Sequence, residues 1–325
     1  MIMAKVLFIG KYPPVQGGTA TAAYWRQKEL VKHGLNFEVV TSIPRDNEFH
    51  IEYDIEEKHV HTLCDKVPWH IPYSQLYSER LVSKSLELAD QQDFDLVEGS
   101  YLFPYGFAAF VVAKLLDKPL ILRHAGSDLY RIPESRMFYR IMKEMALQAK
   151  IVVTNYESER VWKHISDNIK TVVSERYVPA PTVFSKAGKH VNVSFLGKVT
   201  EKWDRNQLEY YCSYLDLNRY EGNIQVYSND YTISVFDNYF TAKGYKVEGH
   251  HFVMPEFVPE ILKDTKYLLV SKIPDGIPEE SNIYLEGIEA GCVPVCQMKE
   301  TTGKSKPCFA EYIEKQCEIY EEALK

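Results

Sequence analysis

Apolar runs of strand length alternate with helix-like segments from one end of the chain to the other. In the first half the strand candidates are 5–10 (KVLFIG), 37–42 (FEVVTS), 94–100 (FDLVEGS), 119–124 (PLILRH), 150–155 (KIVVTN) and 170–174 (KTVVS). The second half repeats the rhythm at 191–197 (VNVSFLG), 224–228, 245–249, 266–272 and 293–297. Runs this continuous in Val, Ile and Leu predict strands buried on both faces, hence parallel sheets with helices on each side. A helix is predicted over 19–33, where Ala20, Ala23, Tyr24, Leu30 and Val31 share a face and Gly34 supplies the stop. Further helices are expected over 204–217, 232–243, 256–263 and 283–290. Residues 175–190 (ERYVPAPTVFSKAGKH) carry two prolines and no clear period, and read as a linker. The fold class is therefore α/β: two Rossmann-like, doubly wound domains, 1–178 and 179–325, facing across a cleft. Ligands in such sheets sit beyond the carboxyl ends of the strands.

A chain of 325 residues can bury two ordinary cores. Its formal net charge of -7 excludes the broad basic footprint on which wrapping nucleic acid depends. The six cysteines form no CxxC pair and no metal-ligand rhythm with histidines, which predicts reduced thiols and a cytoplasmic protein. The apolar start at 5–10 ends at Lys11 and two prolines, too soon for a signal-peptide core, and 107–116 is broken by Lys114. A soluble protein is expected, with peripheral contact to a membrane surface left open.

Candidate chemistry clusters at the ends of strands. Gly17 and Gly18 open the first helix, either to supply backbone angles or to let a ligand lie against the helix N-terminus. A GxGxxG dinucleotide fingerprint is missing, since Pro13 and Pro14 occupy its turn. His124, Ser127 and Asp128 follow a strand and fall at the rim of the expected cleft. Lys198 and Lys202 lie between a strand and a helix, as a solvated charged face or as two cations set for a diphosphate. Ser281 or Asn282 caps the helix over 283–290, and Glu286 lies one turn inside it, where it either favours the helix dipole or accepts ribose hydroxyls.

Four stretches, 12–41, 94–129, 195–202 and 257–295, taken in this order and spacing, resemble the retaining glycosyltransferases of family 4 with the GT-B fold. That resemblance implies transfer of a sugar, of hexosyl type, from a nucleotide-diphosphate donor to a glycan, lipid or small-molecule acceptor. It implies retention at the anomeric carbon, no bound metal and no cofactor. Lys198 and Lys202 would serve the diphosphate and act in catalysis, and His124 would lie beside the transferred sugar. Gly17, Gly18, Glu279, Glu280, Ser281, Asn282 and Glu286 fall on the donor side, and Tyr101, Ser127 and Asp128 on the acceptor or sugar side. The chain departs from the family pattern at three places. Counting back from Glu286, the position of the usual first glutamate is Pro278, with Glu279 and Glu280 adjacent. The usual His-x-His is Glu98-Gly99-Ser100. The chain also ends soon after its last strand, so the closing helix onto the first domain is expected to be short or absent. The alternatives are a non-catalytic nucleotide-sugar-binding protein and a nucleotide-sugar epimerase of the same fold.

Overall fold

A computed structural model describes residues 3–15, 17–42, 59–63, 75–124, 128–129, 136–180, 182–184, 192–199, 205–271, 281–297 and 306–325. Among these, seven parallel strands form the first sheet: β1 (Ala4–Gly10), β2 (Leu35–Thr41), β3 (Val60–Thr62), β4 (Leu96–Ser100), β5 (Leu120–Arg123), β6 (Ile151–Thr154) and β7 (Thr171–Val173). Their order is β3-β2-β1-β4-β5-β6-β7, so the winding reverses between β1 and β4. The second sheet holds β8 (Asn192–Leu196), β9 (Asn223–Tyr227), β10 (Lys246–His250), β11 (Thr265–Leu269) and β12 (Val293–Val295) in the order β10-β9-β8-β11-β12, reversing between β8 and β11. Every expected strand is present, within a few residues of its expected ends. The added strand, β3, spans three residues, too few to show a hydrophobic period.

Both faces of the first sheet are covered. Leu7, Ile9, Val97, Leu122 and Val152 point to one core, packed by α2 (Gln75–Ala89) and α3 (Phe107–Leu116), with α4 (Arg136–Gln148) and α5 (Tyr156–Ile165) completing that side. Val6, Phe8, Leu96, Ile121 and Val153 point to the other, packed by α1 (Gly18–Lys32) and by a C-terminal helix. In the second domain, Tyr211 and Leu215 of α6 (Arg205–Leu217) and Phe236 and Phe240 of α7 (Asp230–Thr241) pack on one face of the sheet. Leu262 of α8 (Val258–Lys263) and Ala290 of α9 (Asn282–Ala290) close the other.

The C-terminal helix, α10 (Phe309–Leu324), corrects the expectation that the closing helix is short or absent. It runs for 16 residues and buries Tyr312, Ile313, Ile319 and Tyr320 against the first sheet. Apolar residues at 309, 312, 313, 319, 320 and 323 repeat at helical spacing, so the signal was present after the last strand. A reciprocal cap starts the helix: the Glu311 side chain accepts from the Cys308 backbone N–H at 2.9 Å. The chain thus passes between the domains twice, and the two passages touch where the Val178 N–H donates to the Pro307 carbonyl at 2.9 Å.

Candidate active site

A cavity of about 570 Å³ lies between the carboxyl ends of the two sheets and takes its walls from both domains. Cavities of this size hold ligands as large as a cofactor. Each winding reversal sends a loop into it: Gly17 and Gly18 follow β1, and Lys198 follows β8. Parallel strands end on the same side, so the topology brings these distant segments together.

On the first-domain wall, Gly17 precedes α1 with φ 135° and ψ 160°, a conformation essentially confined to glycine. A Cβ there would meet nothing within 4 Å, so the backbone angle, not crowding, demands glycine. Gly17 has no side chain to cap the helix, so the N-cap residue offers the first-turn N–H groups of α1 no side-chain acceptor at the cavity wall. The Asn282 side chain, at the start of α9, donates to the Gly18 carbonyl at 2.9 Å and ties the two helix N-termini across the cleft.

Beneath this loop lies a buried charge network. Glu98 on β4 is fully buried; Arg26 Nη2 and Arg123 Nε each donate to its Oε1 at 2.7 Å, and the Tyr320 hydroxyl of α10 donates to Oε2. Burial alone would raise the Glu98 pKa, but Arg123 and Arg26 outweigh it and hold the carboxyl below its usual range. Arg26 and Arg123 both line the cavity. Sequence reasoning passed over both arginines and took Glu98 only as a departure from a motif. The signal was two opposite charges inside neighbouring apolar strands, FDLVEGS and PLILRH.

His124 also lines the cavity, at the carboxyl end of β5. Its Nε2 lies 2.8 Å from the Thr154 hydroxyl, which itself reaches the Asn155 carbonyl at 3.4 Å. Burial lowers the His124 pKa against the opposing pull of Asp128, favouring the neutral ring. Asp128 does not line the cavity; it is buried and accepts from the Leu102 N–H at 2.7 Å. Tyr101 is likewise outside the lining, with its ring beneath Lys11 Nζ at 4.3 Å from the centroid. Ser127 falls outside the described residues.

The second-domain wall carries Lys198, exposed, just past β8, together with Ser281, Asn282 and Glu286. Ser281 caps α9 by accepting from the Tyr284 N–H at 3.4 Å. Glu286 follows one turn later and is 6% exposed, and burial alone pushes its carboxyl up to about 8. Lys202, Glu279 and Glu280 fall outside the described residues. Among the described residues no group of three or more His, Cys, Asp or Glu is placed to hold a metal ion, and no helix is long and apolar enough to cross a membrane.

Residues 19–155 match the family described as Glycosyl transferase 4-like. No curated protein matches the chain in sequence. Among solved structures, sucrose-phosphate synthase from Thermosynechococcus elongatus is similar at 11% identity and a TM-score of 0.56, over 90% of this chain and 80% of that one. HepE of Anabaena, in complex with UDP-glucose, is similar at 14% identity and a TM-score of 0.55, over 99% and 92%. The UDP-GlcNAc 2-epimerase of Methanocaldococcus jannaschii is similar at 12% identity and a TM-score of 0.54, over 99% and 93%. Two facing parallel α/β domains joined by paired crossings, with a glycosyl-transferase-4-like pattern over residues 19–155, give this chain a glycosyltransferase-like GT-B fold.

Proposed function

We propose that the protein is a retaining glycosyltransferase that moves a hexosyl group from a nucleotide-diphosphate donor to an acceptor hydroxyl, without a metal or cofactor. The observation that carries this reading is the cavity between the two sheets, with a cation past β8 and a buried carboxyl one turn inside α9. The second domain holds the donor. Glu286 accepts the ribose hydroxyls, and the N–H groups at the start of α9 face the phosphates. As the bond from the anomeric carbon to the phosphate oxygen breaks and one to the acceptor oxygen forms, negative charge grows on the departing diphosphate, whose oxygen takes up the proton that the acceptor hydroxyl loses. Lys198 and Lys202 stabilise that charge, and such preorganised electrostatics is usually the largest catalytic contribution. Neutral His124 contacts the transferred sugar from the opposite wall. Gly17 and Gly18 leave the α1 backbone open to donor and acceptor, and Ser127 contacts the acceptor, while Asp128 and Tyr101 stand behind the wall and reach the ligand only through what they hold in place. Glu279 and Glu280 meet the donor-sugar hydroxyls.

The likeness to an epimerase sustains a second reading, conversion of the nucleotide sugar itself, and a binder without turnover is the third. UDP-, GDP- and ADP-linked hexoses incubated with the protein, with and without acceptors, separate the three. Release of nucleoside diphosphate with transfer or hydrolysis supports the proposal. An altered sugar still attached to its nucleotide points to the epimerase, and binding with unchanged donor to the binder. EDTA should leave both binding and release unchanged, and their loss on chelation would refute metal-free transfer.

A further inference from the structure

The first-domain wall of the cavity is built with more positive charge than its own carboxylate can offset. Arg26 and Arg123 are 5% and 7% exposed, and both are paired to the single Glu98. Each keeps a buried nitrogen, Nε of Arg26 and Nη2 of Arg123, with no hydrogen-bond partner among the described residues. Leaving a buried cation only partly compensated is costly, and such groups are normally paired. The neighbouring charges do not supply the missing anion. His124 is held neutral by burial. Glu286, on the opposite wall, keeps its proton at neutral pH. Glu175 also lines the cavity, but its carboxylate is engaged, accepting from the Tyr156 N–H at 2.8 Å and lying 3.7 Å from Lys306 Nζ. The register sets Arg123 beside Ser100, another lining residue, and the uncapped N-terminus of α1 opens on the same wall.

We propose that this wall is a subsite for an anionic group, a phosphate or carboxylate borne by the acceptor. What is in excess is charge, which an anion in the cavity offsets and a neutral hydroxyl does not, and a phosphate or carboxylate matches the planar fork of a guanidinium. Only the word acceptor rests on the glycosyltransferase reading; the binding of an anion does not.

The test is calorimetric titration of the protein, free and saturated with UDP, with α-D-glucose 1-phosphate, glucuronate and glucose. At least one anion should bind the UDP-loaded protein about tenfold or more tighter than glucose, and the phosphate and carboxylate arms identify which group is preferred. Arg123→Met should weaken that anion about tenfold while leaving UDP affinity within about twofold, and Glu98→Gln, which leaves two cations unopposed, should tighten it. Equal binding of glucose and both anions overturns the subsite. So does displacement of the anion by UDP, which would assign the arginines to the diphosphate. If circular dichroism shows Arg123→Met unfolded, the comparison of anions with glucose on the unaltered protein decides alone. Binding of the anion with no binding of UDP keeps the subsite and refutes the donor reading.

Discussion

Glu286 lies inside α9 with its carboxyl facing a cavity wall that offers it little solvent, and burial pushes it up to about 8 from 4.5. Between those two values the folded protein holds a proton that the unfolded chain has released. Stability is therefore fully present below about 4.5 and falls as pH rises through about 8. The difference corresponds to about 3 kcal/mol lost at pH 7 and about 5 kcal/mol in the alkaline limit. Glutamine has the shape of the protonated acid and never ionises, so Glu286→Gln escapes this loss. Its amide still has to be desolvated, at a cost of about 1 kcal/mol, which leaves a net gain of about 3 kcal/mol at pH 8 and nothing at pH 5. For a domain of this size that gain is a rise in Tm of about 6–12 °C at pH 8. At pH 8 Glu286 is about half ionised, and the same change removes that carboxylate from the proposed ribose contact, so UDP affinity at pH 8 should fall by about tenfold or more. Scanning calorimetry of both proteins at pH 5 and pH 8, with a UDP titration at pH 8, measures both effects. A Tm difference that does not change with pH would refute the buried-carboxyl argument, and unchanged UDP affinity would refute the ribose contact.

His124→Ala should lower donor turnover by about tenfold or more while UDP affinity stays within about twofold, the pattern of an interaction made in the transition state; an equal loss of both would place the histidine on the nucleotide instead. Tyr320→Phe removes one of the donors to buried Glu98 and should cost about 1.5–3 kcal/mol in urea unfolding. A cost of only a few tenths would mean that the Tyr320–Glu98 hydrogen bond adds little to what holds α10 in place. Gly17→Ala forces a side chain onto a φ of 135° and should cost about 1–3 kcal/mol of stability, although its Cβ meets open space. A melting temperature equal to that of the unaltered protein would show that the loop adopts another conformation.

The strands, the two sheets and the starts of α1 and α9 were legible in the sequence because their signals are local. An apolar run such as KVLFIG, a glycine pair before an apolar period, or Ser281 three residues before Tyr284 needs no distant partner to be read. The amphipathic repeat of α10 was equally local and was overlooked because it follows the last strand. Its partner, however, was not local: Tyr320 finds Glu98 222 residues away, on a sheet of the other domain. The charge network has the same origin. In sequence Arg26, Glu98 and Arg123 are polar residues on one helix and two strands; only the β4–β5 register and the packing of α1 bring both arginines within 2.7 Å of Glu98. The raised carboxyl of Glu286 also belongs to the tertiary structure, since a residue one turn inside a helix can be solvated or buried, and what closes over it decides which. Periodicity and capping depend on neighbours along the chain. Charge state, pairing and the cavity itself depend on which elements meet.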